Sequence, residues 1–260
     1  MATQTRLASM MGPWRLVWLS IKFHVTTILS ALRATGPTAL LRPKQLHAKA
    51  VADMFITASP NFIAFESANT PLQTLLSTAT GTTLDLGPGP GNQLHRFPTS
   101  AITHIYGIEP SPHYAAHLAS RVTEIDGLAG KYTVLTCGIE DADVLEKAGL
   151  GRGSVDTIAC IQVLCSVGDV KEVMERCYAL LRPGGRFVFW EHVGSYNSTT
   201  SSIQALWNPI WSSLVGCHLN RDILGAILAA GEWENVEDVV IEQDGMTCLP
   251  RVWGVLRKKA

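Results

Sequence analysis

Short apolar runs alternate with helical stretches along most of this chain. Thr82–Leu86 reads as a short apolar strand that ends in a Gly/Pro-rich turn and is followed by a short element over Asn92–Phe97. Ile102–Ile108 is a second strand, Pro112–Val122 a helix, and Tyr132–Thr136 a third strand. Val155–Leu164 is apolar enough to read as a buried strand. Val170–Leu181 has helical spacing and stops at Arg182-Pro183-Gly184-Gly185, after which Arg186–His192 forms a fifth strand. Helix signals follow, and Val236–Ile241 and Trp253–Arg257 read as a closing antiparallel pair. Upstream, residues 44–80 read as helical with a turn at Ser59-Pro60-Asn61. Strands alternating with helices predict an α/β fold with a doubly wound sheet of about seven strands, mostly parallel with the last antiparallel.

The first 43 residues have a different character and are expected to form a helical extension to a domain spanning 44–260. Between Trp14 and Leu32 the chain is apolar but interrupted by Arg15, Lys22 and His24. At 100° per residue, Arg15, Lys22, Thr26 and Arg33 fall within about 40° of one another. Trp14, Val17, Trp18, Ile21, Val25, Ile28 and Leu32 spread over the other side, and His24 among them reads as a tolerated helix residue rather than a ligand. A basic stripe beside tryptophans suits a helix lying in a membrane interface, so residues 14–33 are a candidate peripheral membrane contact. A lid packed over the substrate is the alternative. A membrane span fits less well because charges interrupt the apolar stretch. Charge sharpens the division. Seven of the 21 basic residues precede residue 53, no acid precedes Asp53, and the remainder carries a charge of about −8. A net charge of −1 overall argues against a nucleic-acid binder. The six cysteines lack zinc-finger spacing, so no metal is expected, and buried thiols in a reducing intracellular compartment are.

The strongest chemical signal is Thr83-Leu-Asp-Leu-Gly-Pro-Gly-Pro-Gly-Asn92. Gly87, Gly89 and Gly91 allow a sharp turn at a strand end and close approach to a ligand, the Rossmann-like arrangement. Such a turn alone does not separate nicotinamide cofactors from S-adenosyl-L-methionine (SAM); three companions do. Asp85, inside the strand, would repel a pyrophosphate but suits the amino and sulfonium end of SAM. Glu109 ends the second strand 18 residues beyond Gly91, where an acid accepts from two ribose hydroxyls. Gly138-Ile139-Glu140-Asp141 follows the third strand, where Ile139 and Glu140 would edge an adenine ring.

With these residues in view, the chain resembles class I SAM-dependent methyltransferases over roughly residues 50–257. More narrowly, Ile161-Gln-Val-Leu-Cys-Ser-Val167, Leu180-Leu-Arg-Pro-Gly-Gly-Arg-Phe-Val-Phe-Trp-Glu-His-Val193, Trp207-Asn-Pro-Ile-Trp211 and Gly216-Cys-His-Leu-Asn-Arg221 resemble the methyltransferase-like-seven family. The resemblance implies thiol methylation and attachment, through a hydrophobic N-terminus, to the cytoplasmic face of endoplasmic reticulum or lipid-droplet membranes. That family's turn usually reads Gly-Cys-Gly-Thr-Gly; Pro88 and Pro90 stand at the intervening positions here. Each proline removes an N–H donor, while Gly89 and Gly91 keep theirs.

Methyl transfer from a sulfonium is an in-line displacement that chiefly needs alignment and exclusion of water. A neutral acceptor also needs its proton removed. The acceptor is expected above the ends of strands four and five, which makes Gln162, Cys165, Ser166, Glu191 and His192 lining candidates. Gln162 is also counted with the cofactor contacts, and His192 is the candidate general base. Trp207, Trp211 and His218 would roof the space. The function expected is methylation of a lipophilic small molecule at S, O or N, with a secondary metabolite as one hypothesis. The alternative is a SAM-binding protein that does not transfer methyl. A nicotinamide oxidoreductase is disfavoured by Asp85. Oligomeric state is not legible.

Overall fold

The computed structural model describes residues 6–242 and 245–260, with side chains from Trp14 onward. Residues 1–5 of the expected extension lie outside the described residues. In chain order the elements begin with helices α1 (Arg6–Thr35), α2 (Pro43–Asn69) and α3 (Leu72–Leu76), then strand β1 (Gly81–Leu86) and β2 (Ile102–Ile108). Next come α4 (Ala115–Glu124), β3 (Tyr132–Leu135), α5 (Ala142–Lys147), β4 (Val155–Ile161), α6 (Val170–Leu180) and β5 (Leu181–His192). Helices α7 (Ser198–Val215) and α8 (Ile223–Ala229) precede β6 (Trp233–Glu234), β7 (Val240–Glu242) and β8 (Arg251–Lys258).

The sheet runs β3-β2-β1-β4-β5-β8-β6, with β7 also paired to β8. Strands β1 to β5 pair in parallel, and β8 joins β5 antiparallel. The count is eight rather than about seven because the last edge is two short pieces, β6 and β7, laid antiparallel along β8. Strand order reverses between β1 and β4, which opens a crevice at their carboxyl ends, the usual ligand position in such sheets. Apolar residues on alternate sides of the strands build two cores. Leu84, Leu86, Ile158 and Cys160 meet α6 and α8 through Met174, Cys177 and Ile227. Ile105, Ala159 and Val188 face the other way and meet Leu76, Leu118 and Val122.

Three local expectations shift. Helix α2 runs through Pro60 without the expected turn; proline forfeits one N–H, but buried Ser59 just before it bonds Asn92 Oδ1 at 2.5 Å. Leu94–Arg96 is a single 3-10 turn, and Arg96 points inward. The Arg182-Pro-Gly-Gly stretch is taken up as an irregularity inside β5, where register passes from Val155↔Leu181 to Thr157↔Arg186.

Helix α1 packs on α2 and α7, with Val17, Met54, Trp211 and Val215 forming a third cluster. Its buried line is Val17, Ser20 and Thr27. Ser20 donates to Leu214 O, and His24 Nε2 meets His47 Nδ1 at 2.9 Å, so His24 is an interhelical contact. The apolar side read as one face is thus divided. Trp18 is 65% exposed, and Trp14, Val25 and Leu29 also face outward beside exposed Arg15, Lys22 and Arg33. The stretch Trp14–Leu41 is long and apolar enough to cross a membrane by length and composition, a test that the core helix of a soluble protein also passes.

Candidate active site

One continuous cavity of about 630 Å³ runs over the carboxyl ends of β1, β2, β4 and β5, closed by α1, α2 and α7. Asp85, Gly87, Gly89, Glu109, Ile139, Glu140, Gln162 and His192 all line it. Gly91 stands behind the turn instead, where a Cβ would come within 2.9 Å of Leu94 and Leu118.

All three glycines of the turn have positive φ, a region that costs other residues strain. Their N–H groups are already engaged. Gly87 donates to Ile108 O at 2.9 Å, Gly91 to Pro88 O at 2.8 Å, and Gly89 to Glu109 Oε2 at 2.9 Å. The turn therefore offers space rather than donors, and at Gly89 a Cβ position meets nothing within 4 Å. The N–H groups spared by Pro88 and Pro90 hold the site together instead of facing a ligand.

Glu109 accepts from Gly89 N on one oxygen and from Ser111 N on the other, both at 2.9 Å. A carboxylate has about four acceptor positions, so each oxygen keeps one for a diol in the cavity. Burial pushes its pKa up, and the two backbone donors oppose that. Asp85 is 3% exposed, and burial pushes its carboxyl up to about 7. Tyr132 OH donates to Asp85 Oδ2 at 2.9 Å. Tyr132 reaches it from β3 across Gly107 of β2, where a Cβ would lie 2.3 Å from the phenol oxygen. No cation pairs with Asp85 among the described residues, so a cationic ligand group would supply the missing partner. Gly138 lacks a side chain where Glu140 folds back over it, a Cβ there lying 2.4 Å from the Glu140 carboxyl carbon.

Behind the turn is a buried polar network with no signal in the sequence reading. Arg96 donates to Gln93 Oε1 at 2.7 Å, Asn92 O at 2.9 Å and Glu66 Oε2 at 3.4 Å, and Gln93 Nε2 donates to Glu66 at 2.9 Å. Glu66 and Arg96 are both buried, so the pair fastens α2 to the exit of the glycine turn. The available clue was a lone acid, Glu66, among the apolar residues that close α2.

The far end of the cavity is made by Leu16, Val51, Phe55, Trp211, Val215 and Leu249 with Cys165, His192 and Cys217. Gln162, at the end of β4, has φ 59, a left-handed conformation that turns the chain sharply toward Cys165 and Ser166. Glu191 is fully buried and turned away from the cavity. Its Oε1 accepts from Val163 N at 2.7 Å and Leu164 N at 3.1 Å, so it braces that turn rather than lining the site. Burial pushes its carboxyl up to about 7. Of the expected roof, Trp211 lines the cavity, whereas Trp207 packs at a tilt against Trp14 with ring centroids 5.8 Å apart and His218 N donates to Cys165 O at 2.8 Å. His192 Nε2 lies 3.7 Å from Cys217 Sγ, and Trp211 Nε1 donates to the same sulfur at 3.0 Å. A bond from Cys165, together with His192 and Trp211, holds the Cys217 thiol well below its usual range against the effect of burial. Bonding to Cys217 and burial push Cys165 up. The cysteines are thiols rather than disulfides, as the composition predicts.

Comparison with known proteins agrees with this geometry. The family described as "Methyltransferase domain" matches residues 84–187. The human thiol S-methyltransferase TMT1B is 33% identical over 141 residues, 54% of each chain, so the match spans about half the length of that relative. An O-methyltransferase family protein from Burkholderia thailandensis superposes with a TM-score of 0.58 at 16% identity, over 83% of this chain and 60% of its own. The [4+2]-cyclase SpnF superposes at 0.55 and 15% identity, over 82% of this chain and 96% of its own. At such identities the solved structures speak to fold alone, and that fold carries more than one reaction. Residues 84–187 match the methyltransferase domain family, and strand order with the glycine turn and its two acids gives the chain the Rossmann-like fold of class I methyltransferases.

Proposed function

We propose that this chain transfers the methyl group of SAM to the thiol of a lipophilic small molecule. The observation that carries the reading is one continuous cavity with two buried acids at one end and two cysteine sulfurs among apolar side chains at the other. When bound, SAM supplies an electrophilic methyl group on a sulfonium sulfur. Glu109 accepts from the ribose hydroxyls through its two free positions. Asp85 receives the amino group, while Ile139 and Glu140 edge the adenine. Gly87 and Gly89 admit the ligand closely, Gly91 seats the turn on Leu94 and Leu118, and Gln162 orients the sulfonium end. Leu16, Phe55 and Val215 exclude water and hold an apolar acceptor in line. His192 Nε2 faces Cys217 Sγ at 3.7 Å, so His192 takes a role beside that sulfur in place of direct proton removal.

Thiol is preferred over hydroxyl or amine because the curated relative is a thiol S-methyltransferase and because sulfur lines the acceptor end. The test is incubation with SAM and matched apolar thiols, phenols and amines. Stoichiometric thioether and S-adenosylhomocysteine from the thiol supports the reading. Turnover only of the phenol or amine overturns the thiol assignment, and binding without any turnover overturns methyl transfer.

We also infer that the outward stripe of α1 (Trp14, Trp18, Val25 and Leu29 beside Arg15, Lys22 and Arg33) contacts an anionic membrane surface. Cosedimentation with anionic vesicles, lost on Trp18→Ser, supports it; equal binding by the variant contradicts it.

A further inference from the structure

The cysteine pair at the acceptor end has a histidine beside it. Cys165 lies in the turn after β4, His192 is the last residue of β5, and Cys217 follows the glycine that ends α7. Their ligand-capable atoms lie within 4.8 Å of one another. Metal–sulfur bonds of about 2.3 Å and metal–nitrogen bonds of about 2.0–2.1 Å place neighbouring ligands of a tetrahedral zinc ion roughly 3.6 Å apart. The Cys217 Sγ to His192 Nε2 distance is 3.7 Å. Two further observations point to a bound ion. His192 is 4% exposed and its Nε2 meets only a thiol at 3.7 Å, a poor partner for a buried ring nitrogen that an ion placed between the two would replace. Trp211 Nε1 donates to Cys217 Sγ at 3.0 Å, the kind of outer contact that steadies a metal-bound thiolate. All three residues also line the cavity, so a fourth position opens toward the substrate.

We propose that Cys165, His192 and Cys217 bind one zinc ion whose open fourth position takes the sulfur of the acceptor. The metal-site part stands on the geometry; the acceptor part rests on the thiol reading above. Three protein ligands with an open position are the catalytic rather than the structural form of a zinc site. Binding zinc releases one proton from each cysteine, and the acceptor RSH loses its proton to solvent on coordination. The RS⁻ electron pair then forms the bond to the methyl carbon. The methyl–sulfonium bond breaks with its pair staying on the donor sulfur, which leaves neutral S-adenosylhomocysteine. The product RSCH₃ is an uncharged thioether, a weaker ligand than thiolate, and leaves the metal.

The full chain, stripped with chelator, is titrated with zinc in competition with a chromophoric chelator, and with cobalt(II) followed by absorption. One equivalent should bind, and cobalt should show sulfur-to-metal charge transfer with the intense visible bands of a tetrahedral site. Cys165→Ser, Cys217→Ser and His192→Asn should each weaken binding by well over tenfold, and Trp211→Phe by about 10–100-fold, as loss of outer-shell partners does. S-adenosylhomocysteine binding by each variant reports that it is folded. An apolar alkanethiol should add charge-transfer intensity to the cobalt spectrum. Failure to bind a stoichiometric ion, or equal affinity in the three ligand variants, overturns the site. A cobalt spectrum unmoved by thiol overturns the open position. Stoichiometric zinc in a protein that binds no S-adenosylhomocysteine leaves the metal site standing and refutes the methyltransferase reading instead.

Discussion

The two ends of the cavity are built in different ways. At the cofactor end, Asp85, Glu109 and Ile139 stand in or just after consecutive strands, and backbone groups hold them: Glu109 by two N–H donors, the glycine turn by its own bonds. At the acceptor end, Cys165, His192 and Cys217 arrive from three separate elements, and the walls come from α1, α2 and α7. The first end is a property of the sheet. The second depends on how helices outside the sheet pack over it, so a fold that keeps its cofactor can change its acceptor by altering that layer.

The sharpest way to break this contrast is at the buried pair behind the turn. Arg96→Ala removes the ion-pair partner of buried Glu66, which keeps the Gln93 bond, and should cost about 3–5 kcal/mol of stability, the usual result of breaking a buried pair; denaturant unfolding measures it. If the acceptor end alone depends on helix packing, the same variant should still bind S-adenosylhomocysteine when folded at low temperature.

A second variant tests the cofactor end without touching the ligand. Gly107→Ala places a methyl 2.3 Å from the Tyr132 oxygen, so it should displace Tyr132 from Asp85 and cost about 1–3 kcal/mol through overpacking. At the other end, Phe55→Ala should raise the KM of an apolar acceptor by about 1–3 kcal/mol equivalent and leave S-adenosylhomocysteine affinity unchanged. A matching loss at both ends would dissolve the distinction.

The smallest effect expected is with pH. Burial pushes the Asp85 carboxyl from its ordinary 3.8 up to about 7. An acid whose pKa is raised on folding binds more protons folded than unfolded, so the ligand-free protein should lose stability as pH rises from about 4 to about 7. Glu191 contributes in the same direction. A cationic ligand favours ionised Asp85, so the Tm gain from S-adenosylhomocysteine should be larger above pH 7 than below it, and Asp85→Asn should flatten that difference.

The same division governs what could be read from the sequence. Strand periodicity and the spacing of Gly91 and Glu109 are local, so the sheet was legible, and so was the gathering of Asp85, Glu109, Ile139 and Glu140 around one cavity. Pro60 misled because tertiary packing outweighed a lost hydrogen bond, and the outer stripe of α1 could not be told from its inner one by periodicity. Glu191 was expected in the site because it stands at the end of the fifth strand, but successive strand residues face opposite ways. Cys217, Glu66 and Arg96 gain meaning only through partners far away in sequence.

Calorimetric titration of S-adenosylhomocysteine into the wild type and into Asp85→Asn and Glu109→Gln tests the central claim most directly. The account predicts stoichiometric binding that weakens by about 1–3 kcal/mol in each variant, the cost of a lost hydrogen bond in a buried site. Absent binding by the wild type, or equal affinity in all three proteins, would contradict it.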